Sequence, residues 1–162
     1  MSLRAVFAVA VVAGAMGAVG CVPDPVTPSE PTTTTTTTAV PVDCTQRGHG
    51  VDLHGCAFGM FDDFAGVDLS GANLQGAQFL SSDLTSSNLD GADLTNASLV
   101  FAKLNGASVR GANLANANLN FTYVRHADFT GSVGMPVFAS SAFYEGTICP
   151  DGTVADPAFG CW

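Results

Sequence analysis

Cysteine and histidine are the residue types in this sequence with the widest chemistry. The five cysteines are Cys21, Cys44, Cys56, Cys149 and Cys161. The spacing from 44 to 56 equals that from 149 to 161, so four cysteines fall into two matching pairs and Cys21 stands apart. Matching pairs are typical of disulfides in an exported protein. A metal site is the alternative, but no pair has the C-x2-C spacing of common zinc sites.

Catalytic residues have little support in the sequence. The three histidines, His49, His54 and His126, are dispersed, and no G-x-S-x-G, H-E-x-x-H or P-loop pattern occurs. The aspartates recur with a five-residue period, which by itself accounts for their number. A hydrolase that uses a pair of surface carboxylates is a weak alternative. The sequence therefore predicts no enzyme activity, no catalytic residue, no metal site and no cofactor.

The composition narrows the class of protein. Of 162 residues, 47% are apolar and 12% are charged, and 14 acidic against 5 basic residues give a net charge of −9. So few basic residues exclude a protein that binds nucleic acid by neutralising phosphates. The apolar content argues against a wholly disordered chain. We therefore expect one folded domain and no nucleic-acid partner.

Residues 1–20 have the layout of a signal peptide, with Arg4, an apolar run and small residues before Cys21. The run is too short for a spanning helix, although an uncleaved membrane anchor is an alternative. The segment from Ala18 to Cys21 resembles a bacterial lipobox, with Ala18 where Leu is commonest. The resemblance implies a lipid on Cys21 and attachment to the outer face of a bacterial membrane. Free secretion after ordinary cleavage is the other outcome.

Residues 21–42 are predicted to be a lipid-anchored linker. The segment 22–42 is rich in Pro and Thr. Such a composition cannot build a core, and its prolines favour an extended spacer. We prefer a plain tether over an O-glycosylated stalk, which has a similar composition.

Residues 62–131 repeat every five residues without a slip, in fourteen pentads. The central residue of every pentad is apolar. Ala lies two positions before the centre in nine pentads, Asp or Asn lies one position before it in nine, and Gly lies two positions after it in seven. The central residues are Phe64, Leu69, Leu74, Phe79, Leu84, Leu89, Leu94, Leu99, Leu104, Val109, Leu114, Leu119, Val124 and Phe129.

A period of five matches neither an α-helix nor a β-strand, and a fixed short period is typical of a solenoid. A coil of four pentads with a turn at each corner would point every central residue inward. Gly permits the backbone angles that a corner requires, and Asp and Asn hydrogen-bond locally in turns. Successive coils would pair their backbones about 4.8 Å apart.

Pentads such as ANLQG, ADLTN, ANLAN and ANLNF resemble the pentapeptide-repeat family, written A-(D/N)-L-x-x. The resemblance covers residues 62–131 strongly and 51–61 loosely. It implies an all-β fold, a right-handed quadrilateral β-helix of about 20 residues per coil, with about four coils and a rod about 20 Å long here. An α-solenoid is disfavoured by the frequent Gly and Asn.

The implied rod also sets the cysteine pairing. Its two ends lie too far apart for a disulfide, which needs Cα atoms within about 7 Å. The resemblance therefore implies that Cys44–Cys56 closes the N-terminal end and that Cys149–Cys161 closes the C-terminal end.

Both flanks of the repeat are predicted to be caps, because solenoid ends expose apolar core and unpaired edges. Residues 43–61 form an N-terminal cap with two irregular pentads, centred on Leu53 and Phe58, and an inserted Phe61. Residues 132–162 leave the repeat and form a C-terminal cap.

A stacking period of 20 residues places Phe61, Ser81, Phe101 and Phe121 in one column. Such flanking positions are usually polar in the family, so we predict that apolar side chains here form an exposed interaction surface. Coverage by the C-terminal tail is the alternative. We call the predicted set the apolar stripe, and it comprises Phe61, Leu80, Val100, Phe101, Phe121 and Tyr123.

These features predict a non-enzymatic extracytoplasmic lipoprotein that acts as a structural or protein-interaction module. Its partner would be an unknown protein or a component of the cell envelope, and its membrane contact would be the N-terminal lipid. A second interpretation follows from the resemblance, since some members of the family are acidic DNA mimics that bind gyrase. Residues 43–162 carry twelve acidic and four basic residues, which suits a mimic. The signal peptide opposes it, because gyrase is cytoplasmic.

Overall fold

The computed structural model describes residues 41–137, 142–156 and 160–162. The predicted signal peptide, Cys21 and most of the predicted linker lie outside the described residues. Within the described ranges the chain forms no helix and no multi-residue strand. Single-residue β-bridges pair the backbone instead, because each pentad is extended only around the residue before its centre and then turns.

The parallel bridges form four ladders, in which the residue before each pentad centre pairs with its counterpart one coil later, usually 20 residues along the chain. This arrangement confirms the prediction of an all-β solenoid. The first ladder joins Asp52, Asn73, Asp93, Asn113 and Val133, and the second joins Ala57, Gln78, Ser98, Asn118 and Val137. The third joins Asp63, Asp83, Lys103, Tyr123 and Phe143, and the fourth joins Asp68, Asn88, Ser108, Asp128 and Ile148.

One pentad shows how the backbone groups are satisfied. The N–H groups of Leu69 and Gly71 donate to the carbonyls of Asn88 and Asp90 on the next coil, at 2.7 and 2.8 Å. The N–H of Ala72 turns back to the carbonyl of Leu69, at 3.1 Å. The pattern recurs along the chain, so the ladder and the corner turns together satisfy most of the polar backbone.

The core is a column of pentad centres. All fourteen centres from Phe64 to Phe129 are buried, with at most 1% of each side chain exposed. The small residues two positions earlier are buried beside them at most pentads, where the cross-section is narrow. Where Thr replaces Ala, its hydroxyl donates to a backbone carbonyl, as Thr122 does to Leu99 at 2.8 Å. Such a bond satisfies the buried hydroxyl.

Every corner that follows a centre between residues 64 and 129 adopts a left-handed backbone conformation, whichever residue occupies it. Gly is the natural occupant because it lacks a Cβ. Asn96 and Asn116 adopt the same conformation at φ near 58°, which Asn tolerates better than most residues. The corner geometry therefore belongs to the coil, and the sequence adapts to it.

The ladders extend beyond residues 62–131 in both directions, from Asp52 to Ile148. Phe61 is an inserted residue, so the bridges from Asp52 and Ala57 span one residue more than the others. Val137 in the tail pairs with Asn118 one residue early, and the tail regains the register at Phe143. The tail joins the ladders because pairing needs only backbone groups, and the last repeat coil offers an unpaired edge.

A large side chain packs over each end of the core, beside partly buried residues such as Val42 and Tyr144. The Arg47 guanidinium lies 4.1 Å from the centroid of the Phe64 ring, a cation–π contact. At the other end, the Trp162 ring packs edge-on against Phe129, with ring centroids 5.4 Å apart. These contacts shield the terminal core residues from water.

Two cysteine pairs lie at disulfide distance. The Cα atoms of Cys44 and Cys56 are 5.6 Å apart. Those of Cys149 and Cys161 are 5.0 Å apart. The first pair lies at the N-terminal end of the ladders and the second at the C-terminal end.

Candidate functional site

The structure gathers the column of the apolar stripe at the corner between the second and third ladders. Phe61, Ser81, Phe101 and Phe121 all adopt left-handed backbone conformations there, with φ between 56° and 72°. Bulky side chains are rare in this region. The corner holds their backbones in nearly one conformation, so the side chains of successive coils leave the rod in the same direction.

The aromatic side chains of this corner are exposed. Phe61 is 76% exposed, Phe101 49% and Phe121 41%. The rings of Phe101 and Phe121 stack on each other, with centroids 4.9 Å apart and planes inclined by 11°. The coil spacing imposes this stack, because residues 20 apart lie about 4.8 Å from each other. Each ring therefore turns a face toward its neighbour and an edge toward solvent.

Leu80 and Val100 form a second column one residue before the corner. Leu80 is 40% exposed, and Val100 is half-buried. Asn120 continues this column in the next coil. Two parallel columns thus run along the rod, one aromatic and one largely aliphatic.

Tyr123 lies around the corner, on the third ladder, where it is 38% exposed. Its ring stacks on that of Phe143, with centroids 4.7 Å apart and planes inclined by 10°. Phe143 is not predicted from the sequence, because the five-residue pattern ends at residue 131. Counting 20 residues from Tyr123 reaches Phe143, but the pattern itself gives the tail no register. The tail extends the apolar stripe here by adding an exposed ring.

The face that carries the second ladder bears no charged residue. It comprises residues 56–60, 77–81, 97–101 and 117–121, which contain no Asp, Glu, Lys, Arg or His. We call it the uncharged face. Of the charged residues in 43–162, ten acidic and three basic residues lie on the other three faces, and Asp43, Arg47 and Asp156 lie in the terminal segments. Most of the apolar stripe therefore lies on, or at the edge of, the one face of the described solenoid that lacks charge.

The acidic residues stabilise turns on the charged faces. The carboxylate of Asp68 accepts hydrogen bonds from the hydroxyl and the N–H of Ser70, at 2.6 and 3.0 Å. The Ser70 hydroxyl bond, followed by the backbone bond, lowers the pKa of Asp68 below its usual range. Similar bonds to Thr85, first from its side chain, lower the pKa of Asp83. A general acid would need a raised pKa, so these carboxylates are suited to structural roles.

Ion pairs join neighbouring coils on the charged faces. Arg110 Nε lies 2.7 Å from an oxygen of Asp128, and Lys103 Nζ lies 3.5 Å from Asp83. The basic residues of these pairs are more than half exposed, so each pair contributes little to stability.

The histidines do not meet. His49 Nδ1 lies 2.8 Å from the Ser70 hydroxyl, His54 Nδ1 lies 2.8 Å from Asp52, and His126 occupies a corner between the third and fourth ladders. Within the described ranges, no three His, Cys, Asp or Glu side chains are placed to hold a metal ion. Over the same residues, no helix is both long and apolar enough to cross a membrane.

Comparisons with known proteins bear on the fold. A family model described as pentapeptide repeats matches in eight copies, over residues 63–99 and 92–131. The pentapeptide repeat protein Rfr23 from the cyanobacterium Cyanothece 51142 has a similar structure, with a TM-score of 0.50 and 24% identity. That match covers 67% of this chain and 90% of Rfr23. At this identity the likeness concerns the fold alone. No curated protein matches the sequence.

Two further solved structures match at lower scores. QnrB1, a plasmid-mediated fluoroquinolone resistance protein, gives a TM-score of 0.38 and 19% identity, covering 63% of this chain and 67% of QnrB1. HetL is involved in heterocyst differentiation regulation in Nostoc sp. strain PCC 7120. It gives a TM-score of 0.23 and 20% identity, and the match covers 65% of this chain and 75% of HetL.

Proposed function

Because the chain belongs to the pentapeptide-repeat family through residues 63–131, we propose that it is a non-enzymatic extracytoplasmic lipoprotein whose solenoid is a protein-interaction module. The observation that carries the proposal is the exposed aromatic corner beside the uncharged face. Exposed apolar patches of this kind usually mark interaction sites. The Asp-rich faces keep the rod soluble around that surface.

The proposed cellular location is based on the N-terminal sequence. The signal-peptide layout of 1–20 and the lipobox-like segment ending at Cys21 support a location for the solenoid on the outer face of a bacterial membrane. The Pro- and Thr-rich linker then holds it away from the bilayer. Two disulfides, Cys44–Cys56 and Cys149–Cys161, agree with an oxidising compartment. They close the two ends of a right-handed β-helix.

Intact-mass spectrometry tests the proposed location. The full chain is expressed with its own leader, the membrane fraction is isolated, and the mass is measured without reducing agent. We expect a chain that begins at a diacylated Cys21 and is four hydrogens lighter than its free-thiol form. The matched variant Cys21→Ala should lack the lipid. An unprocessed chain with free thiols in the soluble fraction would overturn the extracytoplasmic proposal.

Photo-crosslinking tests the interaction surface. Phe101 is replaced by p-benzoylphenylalanine in the full chain, and intact cells are irradiated. We expect a protein adduct from position 101. The matched control is His126, which adopts the same left-handed conformation at another corner and should give none. Equal adducts from both positions, or none from either, would contradict an interaction surface at the apolar stripe.

A second candidate function, an acidic DNA mimic, is favoured by charge, since twelve acidic and four basic residues give residues 43–162 a net charge of −8. Against it, Lys103, Arg110 and Arg125 lie among the acidic residues of the third and fourth ladders, and the uncharged face breaks the acidic surface. A DNA-supercoiling assay with purified gyrase tests it. Inhibition that weakens as salt concentration rises would support a mimic, and no inhibition would reject it.

A further inference from the structure

We propose that the partner of the apolar stripe is a second copy of this chain, held in a two-fold symmetric dimer through the uncharged face. This inference rests on the proposed interaction module and deepens it. Four features of the described residues carry it, namely the corner backbone, the exposed area, the distribution of charge and the shape of the two columns.

The backbone conformation of the corner does not require an aromatic residue. Ser81 occupies the same column with φ 58°, and Asn96 and Asn116 occupy another corner at the same angle. A left-handed conformation is unfavourable for a bulky side chain. Phe101 and Phe121 therefore occupy positions that do not require an aromatic residue. Exposed rings in this conformation make the corner a candidate interaction surface.

The exposed apolar area can supply a large part of a dimer interface. Three aromatic side chains lie at the corner that borders the contact, namely Phe61, Phe101 and Phe121. Their exposed fractions run from 41% to 76%, which amounts to about 330 Å² of aromatic surface if each whole side chain offers about 200 Å². Leu80 and Met60 add further exposed apolar surface beside them. A standard protein interface buries about 800 Å² on each partner.

The charge distribution favours a copy of the same chain. Two solenoids that each carry −8 over residues 43–162 repel each other along their acidic faces. When the uncharged faces meet, the acidic faces point away from the contact and repulsion is smallest. A partner that recognises charge would find none on this face to pair with. The face therefore fits an uncharged surface, which a second copy supplies.

The two columns are complementary to themselves. The Phe101 and Phe121 rings form a ridge, and Leu80 and Val100 form the lower column beside it. A two-fold axis parallel to the rod and between the two columns places the ridge of each copy against the aliphatic column of the other. Both copies have the same coil spacing, so contacts repeat in register along the interface. This is the self-complementarity that a two-fold interface requires.

Crosslinking in membrane extracts tests the identity of the partner. Two cultures, one unlabelled and one ¹⁵N-labelled, produce the full chain with p-benzoylphenylalanine at position 101, and their detergent-solubilised membranes are mixed before irradiation. We expect an adduct of twice the chain mass in which an unlabelled peptide is joined to a labelled peptide from the uncharged face. Position 126 serves as the control. An adduct with lipid, or with a different protein, overturns the dimer.

Co-purification of two differently tagged copies gives an independent measurement. In the variant with Phe101→Asn and Phe121→Asn, Asn replaces Phe at two corners, and Asn already occupies the same conformation at Asn96 and Asn116. The fold should therefore persist, and circular dichroism checks this. We expect self-association at least about 30-fold weaker, as for the loss of an interface hot spot. His126→Asn, a matched corner substitution, should not change it. Unchanged association in the double variant overturns the proposal.

The outcomes separate this inference from the proposed function. If position 101 joins a different protein, the dimer fails and the interaction module stands. If the intact mass shows no processing at Cys21 while the mixed-label adduct forms, the dimer stands and the extracytoplasmic location fails.

Discussion

Replacing Gly134 by Ala should destabilise the C-terminal end of the solenoid far more than the same change at Gly131. Both glycines lie in the last coil and both have positive φ, +87° at Gly134 and +69° at Gly131. A Cβ at Gly134 would overlap the backbone nitrogen of Ala115 and lie 2.7 Å from its Cα. A Cβ at Gly131 would meet its nearest atom, the nitrogen of Gly111, at 4.0 Å, an ordinary contact.

The expected magnitudes follow from these two differences. The left-handed conformation costs Ala about 1–2 kcal/mol at either position. Overlap with backbone at Gly134 adds about 1–3 kcal/mol, the usual cost of overpacking. Gly131→Ala should therefore lower the free energy of unfolding by about 1–2 kcal/mol, and Gly134→Ala by about 2–5 kcal/mol. Gly134 lies between Val133, which pairs in register with Asn113, and Val137, which pairs one residue early with Asn118.

Urea unfolding of the full chain, followed by far-ultraviolet circular dichroism, measures both variants against the parent. Hydrogen exchange at Ala115 adds a local readout, and it should speed up only in Gly134→Ala. Equal losses in the two variants would refute the reasoning, because the left-handed conformation would then account for the whole effect. A larger loss in Gly131→Ala would refute the placement of Gly134 against Ala115.

Three further predictions concern the core, the disulfides and the carboxylates. Leu99→Ala removes a fully buried centre and should lower the free energy of unfolding by about 3–5 kcal/mol in urea titrations; a loss below about 1 kcal/mol would contradict close packing there. Loss of Cys44–Cys56 in the variant with Cys44→Ser and Cys56→Ser should cost about 3 kcal/mol by the chain-entropy model, seen as a lower urea midpoint, and an unchanged midpoint would contradict a stabilising disulfide at this end. Hydrogen bonds from Ser70 lower the pKa of Asp68 in the folded state. The stability that these bonds supply is therefore present above the unfolded pKa of about 3.9, and it is lost as the pH falls through the lower folded pKa. Thermal melts from pH 6 downward should show this decline, and Ser70→Ala should reduce it; an identical decline in that variant would contradict the assignment to Asp68.

The repeat made much of the fold predictable, because a strict five-residue period converts sequence position directly into spatial position. The centres from Phe64 to Phe129 are buried as the pattern indicates. The column of Phe61, Ser81, Phe101 and Phe121 follows from counting in twenties, and the structure places these residues at one corner.

Other features escaped prediction where the period slips. The five-residue pattern gives no register for residues 132–162, so the continuation of the ladders to Ile148 and the stack of Phe143 on Tyr123 were missed. The position of Arg47 over Phe64 was also missed, since the N-terminal segment has no period from which its path could be counted. The conformation of the corners was predicted only where Gly occurs, whereas the structure imposes it on Phe101 as well.

The five-residue pattern is enough to predict the coil, its core and its polar turns, because each pentad encodes a local turn and one inward apolar side chain, and units of the same length stack in register. Which surfaces remain open could be learned only from the folded chain. Exposure depends on what the neighbouring coils and the tail cover, and that is a property of chain paths rather than of any pentad. The structure thus left the rings of Phe101 and Phe121 at an open corner beside the uncharged face, and brought Phe143 from the tail to lengthen the same surface.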